Sequence, residues 1–477
     1  MSQVLLDDQV RHVGSLREFS SQPIMSLRRD LPCVRYLSPF RFFSDLRRDP
    51  LAFFSAAATL GDIVELNAGL SKAWLLSHPT HVKHVLKDYS KNYGNKTRVV
   101  RLFQLGGGDG LLSTDGDLWL RQRRLIQPAL HRELLPRAAG AITAETGSML
   151  DRWDRLEEWQ PLDVGRAMST LTLSIAGRAF FGADLSGEVE TLADAMRALF
   201  EHFNHRLFHL WTIPERIPTS RNRLFGRTSR TIARIVAKIL DSSEGAYRHD
   251  WCLLAALLDG EGAPEECRLT KSQARDAVVT FLGAASETTG IALAWTWYLI
   301  ASSPLVEQRL VEELRTNLGI RTPTLDDLRN LRYTTMVVQE ALRIFPPAWM
   351  MLRTAVDADV IGDVQIPRGG TILMSPFLTH RRTDFWDEPG RFDPERFEPT
   401  RSRARPEFSF YPFGGGPRQC PGDDFAIVEM SLIVAMVLQQ YRLRLIPGQL
   451  IEPQVRFTLH PRNGVMVTLT RHGASGS

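Results

Sequence analysis

Apolar residues recur three and four positions apart in 137–158, 186–203 and 227–247, with Arg, Asp and Glu filling the intervening positions. That spacing lines one face of a helix, so each stretch predicts an amphipathic helix packed on a core. The early part of the chain has a different pattern. DIVELN (62–67) and KAWLLS (72–77) are short runs bounded by turn residues and predict strands. From about Trp119 the chain becomes mostly helical. The longest candidate is 271–302, whose 32 residues would run about 48 Å at 1.5 Å each. Ser303-Pro304 then predicts an N-cap and first turn of a further helix. Residues 353–377 return to strand-like pieces, DVQIP and GTILMS, separated by Gly and Pro. The fold class is mainly α with small β-sheets. No Pro/Gly/Ser-rich linker and no repeat of 20–50 residues divides the chain. We therefore expect an N-terminal lead over 1–30, loosely ordered, and one domain over 31–477.

Composition narrows the picture. The chain has 477 residues, 43% hydrophobic and 23% charged, as in globular proteins. The net charge of +4 gives no reason to expect a nucleic-acid partner. Cys33, Cys252, Cys267 and Cys420 have no paired spacing, which argues against a disulfide framework and against a CxxC zinc site. Asp7, Asp8, Arg11, Arg17 and Glu18 interrupt every apolar stretch near the start, so neither a signal-peptide core nor a membrane anchor is expected there. The uncharged run Thr288–Val306 holds threonines, serines and a proline, and reads as a buried helix rather than a span. A cytoplasmic protein without a transmembrane anchor is the expectation.

The sharpest chemical signal is Phe413 to Gly422, F-G-G-G-P-R-Q-C-P-G, followed by an apolar helical run. A glycine-rich turn lets backbone approach closely and aim N–H groups at one atom. A sulfur held there, ahead of a helix N-terminus, is stabilised as thiolate and suited to bind a metal. With no second cysteine nearby, zinc and iron–sulfur clusters lack ligands, whereas a haem iron needs a single proximal thiolate. The segment resembles the cysteine-ligand loop of the cytochrome P-450 superfamily, with Phe413, Gly416, Arg418, Cys420 and Gly422 at the family's spacing and Ala426 and Glu429 in its continuation. At roughly 5–7% per position, five such matches arise by chance about once in a million placements.

Other parts of the family pattern follow in order over roughly 110–430. Glu340-Ala-Leu-Arg343 matches the E-x-x-R helix, and Phe392-Asp-Pro-Glu-Arg396-Phe397 looks like the meander motif. The resemblance implies a buried structural triad of Glu340, Arg343 and Arg396 beneath the haem. Trp119 and Arg123 match the W-x-x-x-R helix that reaches a haem propionate; taken alone, they would be a core tryptophan beside a solvated arginine. Arg353 and Arg418 stand at the family's other propionate positions. Phe413 and Cys420 complete the cofactor set, with Cys420 as the metal ligand. The implied fold is the single triangular haem domain of the family.

Ala284-Ala285-Ser286-Glu287-Thr288-Thr289 resembles the family's A/G-G-x-D/E-T-T/S segment, with Ala285 in place of the usual glycine. An acid beside an alcohol can relay protons through ordered water in an apolar pocket. Glu287 and Thr288 are the candidate catalytic pair; the alternative for Thr288 is a hydroxyl bonded back to a helix carbonyl.

Substrate-facing segments implied by the family include the loop before Trp119, with Leu102, Phe103 and Leu105 and the glycine run 106–110 as a flexible hinge. The region from Phe203 to Ile213 is another. Phe281, Ala284, Ala285, Ala348, Trp349, Met350 and the turn Phe457–Leu459 complete the set. Their apolar character suggests a lipophilic substrate of terpenoid, fatty-acid, carotenoid or polyketide type. The resemblance implies haem b (iron protoporphyrin IX) as cofactor and O₂ as co-substrate in a monomer. NAD(P)H would enter only indirectly, through a ferredoxin or flavodoxin with its reductase. The expected reaction is hydroxylation or epoxidation. Desaturation, ring coupling and peroxide-driven oxidation are alternatives, and a haem sensor is a further one.

Overall fold

The computed structural model describes residues 24–472 except 29–30, 37, 70–71, 96, 132–133, 158, 210–211 and 247–268. The helices of nine residues or more run in chain order as α1 (Pro39–Arg48), α2 (Pro50–Ala58), α3 (Arg98–Gly107), α4 (Gly116–His131), α5 (Leu134–Trp153) and α6 (Val164–Phe181). Then come α7 (Val189–Phe208), α8 (Ser220–Ala246), α9 (Lys271–Ala301), α10 (Pro304–Asn317), α11 (Arg332–Ile344) and α12 (Asp423–Gln440). The strands are β1 (Ile24–Arg28), β2 (Leu31–Arg35), β3 (Ile63–Asn67), β4 (Lys72–Leu76), β5 (Tyr93–Gly94), β6 (Leu162–Asp163) and β7 (Met351–Ala355). They continue as β8 (Asp359–Ile361), β9 (Val364–Ile366), β10 (Thr371–Met374), β11 (Tyr441–Leu445), β12 (Pro453–Val455), β13 (Leu459–Pro461) and β14 (Met466–Arg471).

The fold is mainly helical with small sheets. The largest sheet has seven strands in the order β1-β2-β3-β4-β10-β7-β5, while β11-β14-β6, β12-β13 and β8-β9 form the others. β1 pairs antiparallel with β2, Ile24 opposite Arg35. The expected boundary at residue 31 therefore falls inside a hairpin, and Ile24–Arg28 belongs to the sheet rather than to a loose lead; residues 1–23 lie outside the described residues.

The long helix runs through the core. Thr270 caps α9 with a reciprocal box, its side chain accepting from the Gln273 amide while Gln273 reaches back. Toward its other end Trp295 and Trp297 have no exposed surface. Burying a large apolar side chain contributes about 1.5–3 kcal/mol. Trp295 stacks on Phe345 with centroids 3.8 Å apart, and Trp297 donates to Met168 Sδ on α6 at 3.3 Å. Gly290 lets α6 approach closely, since a Cβ there would lie 2.8 Å from Ser169 Cα. Among the described residues α9 alone is long and apolar enough to cross a membrane, with mean hydropathy 1.4, and that stretch is mostly buried inside the protein. Ser303 precedes α10 as expected, but its side chain makes no capping bond.

Candidate active site

The cysteine turn is held by its glycines and by the helix that follows. Gly416 lies at φ +67°, and a Cβ on it would sit 1.8 Å from the Leu86 carbonyl oxygen, in the π-helical turn His84–Asp88. No side chain fits there, so the turn seats against that segment. The Cys420 amide donates to the Phe413 carbonyl at 2.9 Å, closing the loop, and α12 starts three residues later. Burial pushes the Cys420 thiol up to about 11, outweighing the Gly422 amide and the Arg123 charge that favour the anion. A thiolate here thus needs a further positive partner, which a metal bonded to sulfur supplies.

Three guanidinium groups converge on the same region. Arg123 of α4 donates to the Gln419 carbonyl at 2.7 Å and to Gln127 at 2.9 Å, tying its helix to the cysteine loop. Arg418 covers the Trp119 ring at 4.1 Å and pairs with Asp115. Arg353 of β7 donates to its neighbour's carbonyl, Leu352, at 2.8 Å. Burial, and then the Arg418 charge, pull Arg353 down to about 10. Among the described residues neither Arg123 nor Arg353 has a carboxylate within ion-pair distance, so Asp115 answers only one of the three charges. A group bearing an iron for sulfur and two carboxylates for arginines fits this set. Iron protoporphyrin IX is such a group.

The loop is supported from beneath. Arg343 Nε and Nη2 meet Glu340 at 2.7 and 2.8 Å, both side chains fully buried. Arg396 Nε lies 3.4 Å from Glu340 Oε1, which also accepts from the Asp393 amide at 3.0 Å. The other Arg343 donors reach the carbonyls of His380, Pro389 and Arg391. The Tyr411 amide in turn donates to His380 Nε2 at 2.9 Å, two residues before Phe413. Burial holds His380 well below the ordinary imidazole range, so it accepts as a neutral ring. The triad is thereby connected to the cysteine turn.

On α9, Ala284, Ala285 and Thr288 keep accessible surface within a largely buried helix. Thr288 Oγ1 donates to the Ala284 carbonyl at 2.8 Å, the back-bonded arrangement. Glu287 points elsewhere: its Oε1 accepts from Thr458 Oγ1 at 3.0 Å and meets His460 Nε2 at 2.9 Å. Sequence reading missed both partners, which lie 171 and 173 residues away and carry no local signal.

The structure separates the substrate-facing candidates. Phe103 of α3 meets Phe457 at 5.0 Å and Phe203 at 6.1 Å, and Phe200 joins at 5.7 Å from Phe457, forming an aromatic cluster from three elements. Ala348 and Met350 are partly accessible. Phe281 packs on Phe180 at 5.9 Å, and Trp349 on Phe54 at 5.9 Å, both buried. Leu459 has no accessible surface; its carbonyl accepts from Trp295 Nε1 at 2.8 Å, so it fills the core instead of lining a pocket. The segment before Trp119 is the helix α3, and Leu105 on it is exposed while Leu102 is buried. Its glycine run is packed rather than slack: a Cβ on Gly110 would lie 2.0 Å from Thr280 Oγ1. Residues 210–211, Cys252 and Cys267 lie outside the described residues.

Comparison with known proteins accords with this arrangement. The family model described as Cytochrome P450 matches residues 41–468. Cyclooctatin synthase of Streptomyces melanosporofaciens is 31% identical over 428 residues, covering 87% of this chain and 90% of that protein. Cyclooctat-9-en-7-ol 5-monooxygenase of the same organism is 32% identical, covering 84% and 87%. Pentalenene oxygenase of Streptomyces avermitilis is 32% identical, covering 87% and 92%. A match over nearly the whole helical body, around a cysteine turn whose charges call for a metal and two carboxylates, makes this chain a member of the cytochrome P450 family and a monooxygenase, with the haem iron and O₂ use that the family implies.

Proposed function

We propose that this monooxygenase hydroxylates or epoxidises a lipophilic, terpenoid-type small molecule, with electrons supplied by a separate ferredoxin or flavodoxin and its reductase. The observation that carries the reading is Cys420 on its glycine turn beside buried Arg123 and half-buried Arg353, neither with a carboxylate within ion-pair distance among the described residues. In this reading Cys420 is the metal ligand, Trp119 and Phe413 flank the cofactor, and Arg123, Arg353 and Arg418 hold its carboxylates. Bound haem supplies the activation of dioxygen. The chain's own residues orient the substrate, keep water out and deliver protons.

Phe103, Phe200 and Phe457, backed by buried Phe203, offer apolar surface without fixed charge together with Ala284, Ala285, Ala348 and Met350. Such surface favours hydrocarbon skeletons. The names of the three relatives, two of them oxygenases of cyclic terpenoids, support that substrate class. A panel of cyclic terpenes and terpene alcohols, screened by spin-state shift and then by product mass, tests it. A product carrying one added oxygen atom supports the reading; a product two hydrogens lighter would favour desaturation.

Thr288 bonded to Ala284 leaves its oxygen lone pairs available to an incoming proton donor. Thr288→Ala is expected to retain haem and substrate affinity while product formed per NAD(P)H falls severalfold, peroxide making up the balance. Unchanged coupling would remove Thr288 from the relay.

Exposed Arg121 and Arg124 share α4 with Arg123, which touches the cysteine loop, so their charges adjoin the cofactor's thiolate side. An acidic electron donor would be steered there. Arg121→Glu with Arg124→Glu is expected to slow reduction by the partner about 10-fold at low salt, the difference closing as salt rises. Equal rates at low salt would place the docking surface elsewhere. Monomeric state and cytoplasmic location accompany the reading as proposals.

A further inference from the structure

We propose that His460 delivers protons to Glu287, with Thr458 fixing the carboxylate between them, so that the β12–β13 hairpin forms the outer part of the proton path to α9. The inference deepens the functional reading above and rests on it.

Three polar atoms close a triangle: Thr458 Oγ1 to Glu287 Oε1 at 3.0 Å, His460 Nε2 to Glu287 Oε1 at 2.9 Å, and Thr458 Oγ1 to His460 Nε2 at 3.0 Å. One assignment satisfies all of them. Thr458 donates its hydroxyl hydrogen to Glu287, and His460 carries its hydrogen on Nε2, shared between the carboxylate and the Thr458 oxygen. Nδ1 of the ring is then an acceptor, and it has no partner among the described residues. His460 keeps 20% of its side-chain surface, Glu287 13%, while Thr458 is buried. The imidazole is thus the accessible member of the set and the threonine the fixed one.

The hairpin is held in place independently of this contact. The Leu459 amide donates to the Pro347 carbonyl at 3.1 Å and its carbonyl accepts from Trp295. Thr458, at the end of the connecting turn, and His460 of β13 flank Leu459, and their side chains meet on one side at 3.0 Å. Anchoring Leu459 therefore turns both polar side chains toward α9 together. Glu287 Oε2 has no partner among the described residues, which leaves the carboxyl group free to turn and pass a proton on toward Thr288, its neighbour in the helix.

The transfer balances without any further reactant. Nδ1 accepts a proton from hydronium or a buffer acid as Nε2 gives one to Glu287 Oε1; the ring begins and ends neutral. Glu287, now protonated on Oε1, turns its carboxyl group about the Cγ–Cδ bond, releases that same proton toward Thr288 and returns to carboxylate, and the ring resets its tautomer by exchange with solvent.

Two measurements on the holoprotein test this. In the reduced, carbon monoxide-bound form labelled with ¹⁵N-histidine, a slowly exchanging Nε2–H resonance of His460 is expected, and Glu287→Gln is expected to abolish or markedly shift it. A resonance identical in both proteins would overturn the pairing. With NADPH, a plant-type ferredoxin and its reductase, and no added substrate, His460→Phe is expected to raise the share of electrons recovered as peroxide about threefold. Haem content and the carbon monoxide band should stay as in the parent. Thr458→Val should act in the same direction and Thr458→Ser should restore the parent ratio. An unchanged ratio in His460→Phe, with the band intact, would sink this proposal alone. Absence of a thiolate-type band in the parent would sink the functional reading instead.

Discussion

Replacing Cys420 with serine is expected to abolish oxygenation, lowering turnover by at least about 100-fold, since even changes in groups behind a metal's ligands cost 10–100-fold. Burial pushes the parent thiol up to about 11, so its anion exists here only with a positive partner. A serine hydroxyl is a far weaker acid, and the same burial opposes its ionisation more strongly. The variant should still fold, because the turn depends on backbone contacts: the residue-420 amide to the Phe413 carbonyl, and Gly416 against Leu86. Circular dichroism and thermal unfolding should match the parent while haem-dependent product formation is lost. Retained turnover would mean that Cys420 is not the metal ligand.

Glu340→Ala should have the largest effect on stability. Glu340 and Arg343 have no exposed surface, and Arg396 is nearly as buried. Removing the carboxylate strands two desolvated guanidinium groups and frees the Asp393 amide. Breaking a buried pair from one side costs about 3–5 kcal/mol. Because Arg343 also holds the His380 carbonyl, and His380 accepts from the Tyr411 amide, the damage should extend to the cysteine turn and reduce haem retention. Denaturant unfolding of parent and variant measures it. A loss below about 1 kcal/mol, the level of an exposed ion pair, would show the triad to be dispensable.

Local chemistry was readable in the sequence where it depends on neighbours in the chain. The long helix was expected over 271–302 and ends at Ala301, because its start is set by Thr270 and Gln273 and its end by Ser302 and Pro304. The cysteine turn was legible because Gly414 and Gly416 answer a local backbone demand, each lying at positive φ. Helix α3 was not. Thr97 provides its cap, but the glycines that end it, with Gly108 at φ +64°, looked like a slack loop. The partner of Glu287 was illegible for another reason: the acid and alcohol are adjacent in sequence, yet the carboxylate turns to a hairpin 171 residues on. Leu459 shows the same limit, since nothing local distinguishes a side chain lining a pocket from one sealed in the core. Spacing reveals which residues share an element; what lies opposite them is set by packing of the whole chain.

The central claim is thiolate-ligated haem at Cys420, and one spectrum tests it most directly. The purified protein is reduced with dithionite, exposed to carbon monoxide, and the difference spectrum recorded beside that of Cys420→Ser. A strongly red-shifted Soret band in the parent, absent from the variant, is the result predicted. A band at the position of histidine-ligated haem in both proteins, or no haem in the parent, would contradict it.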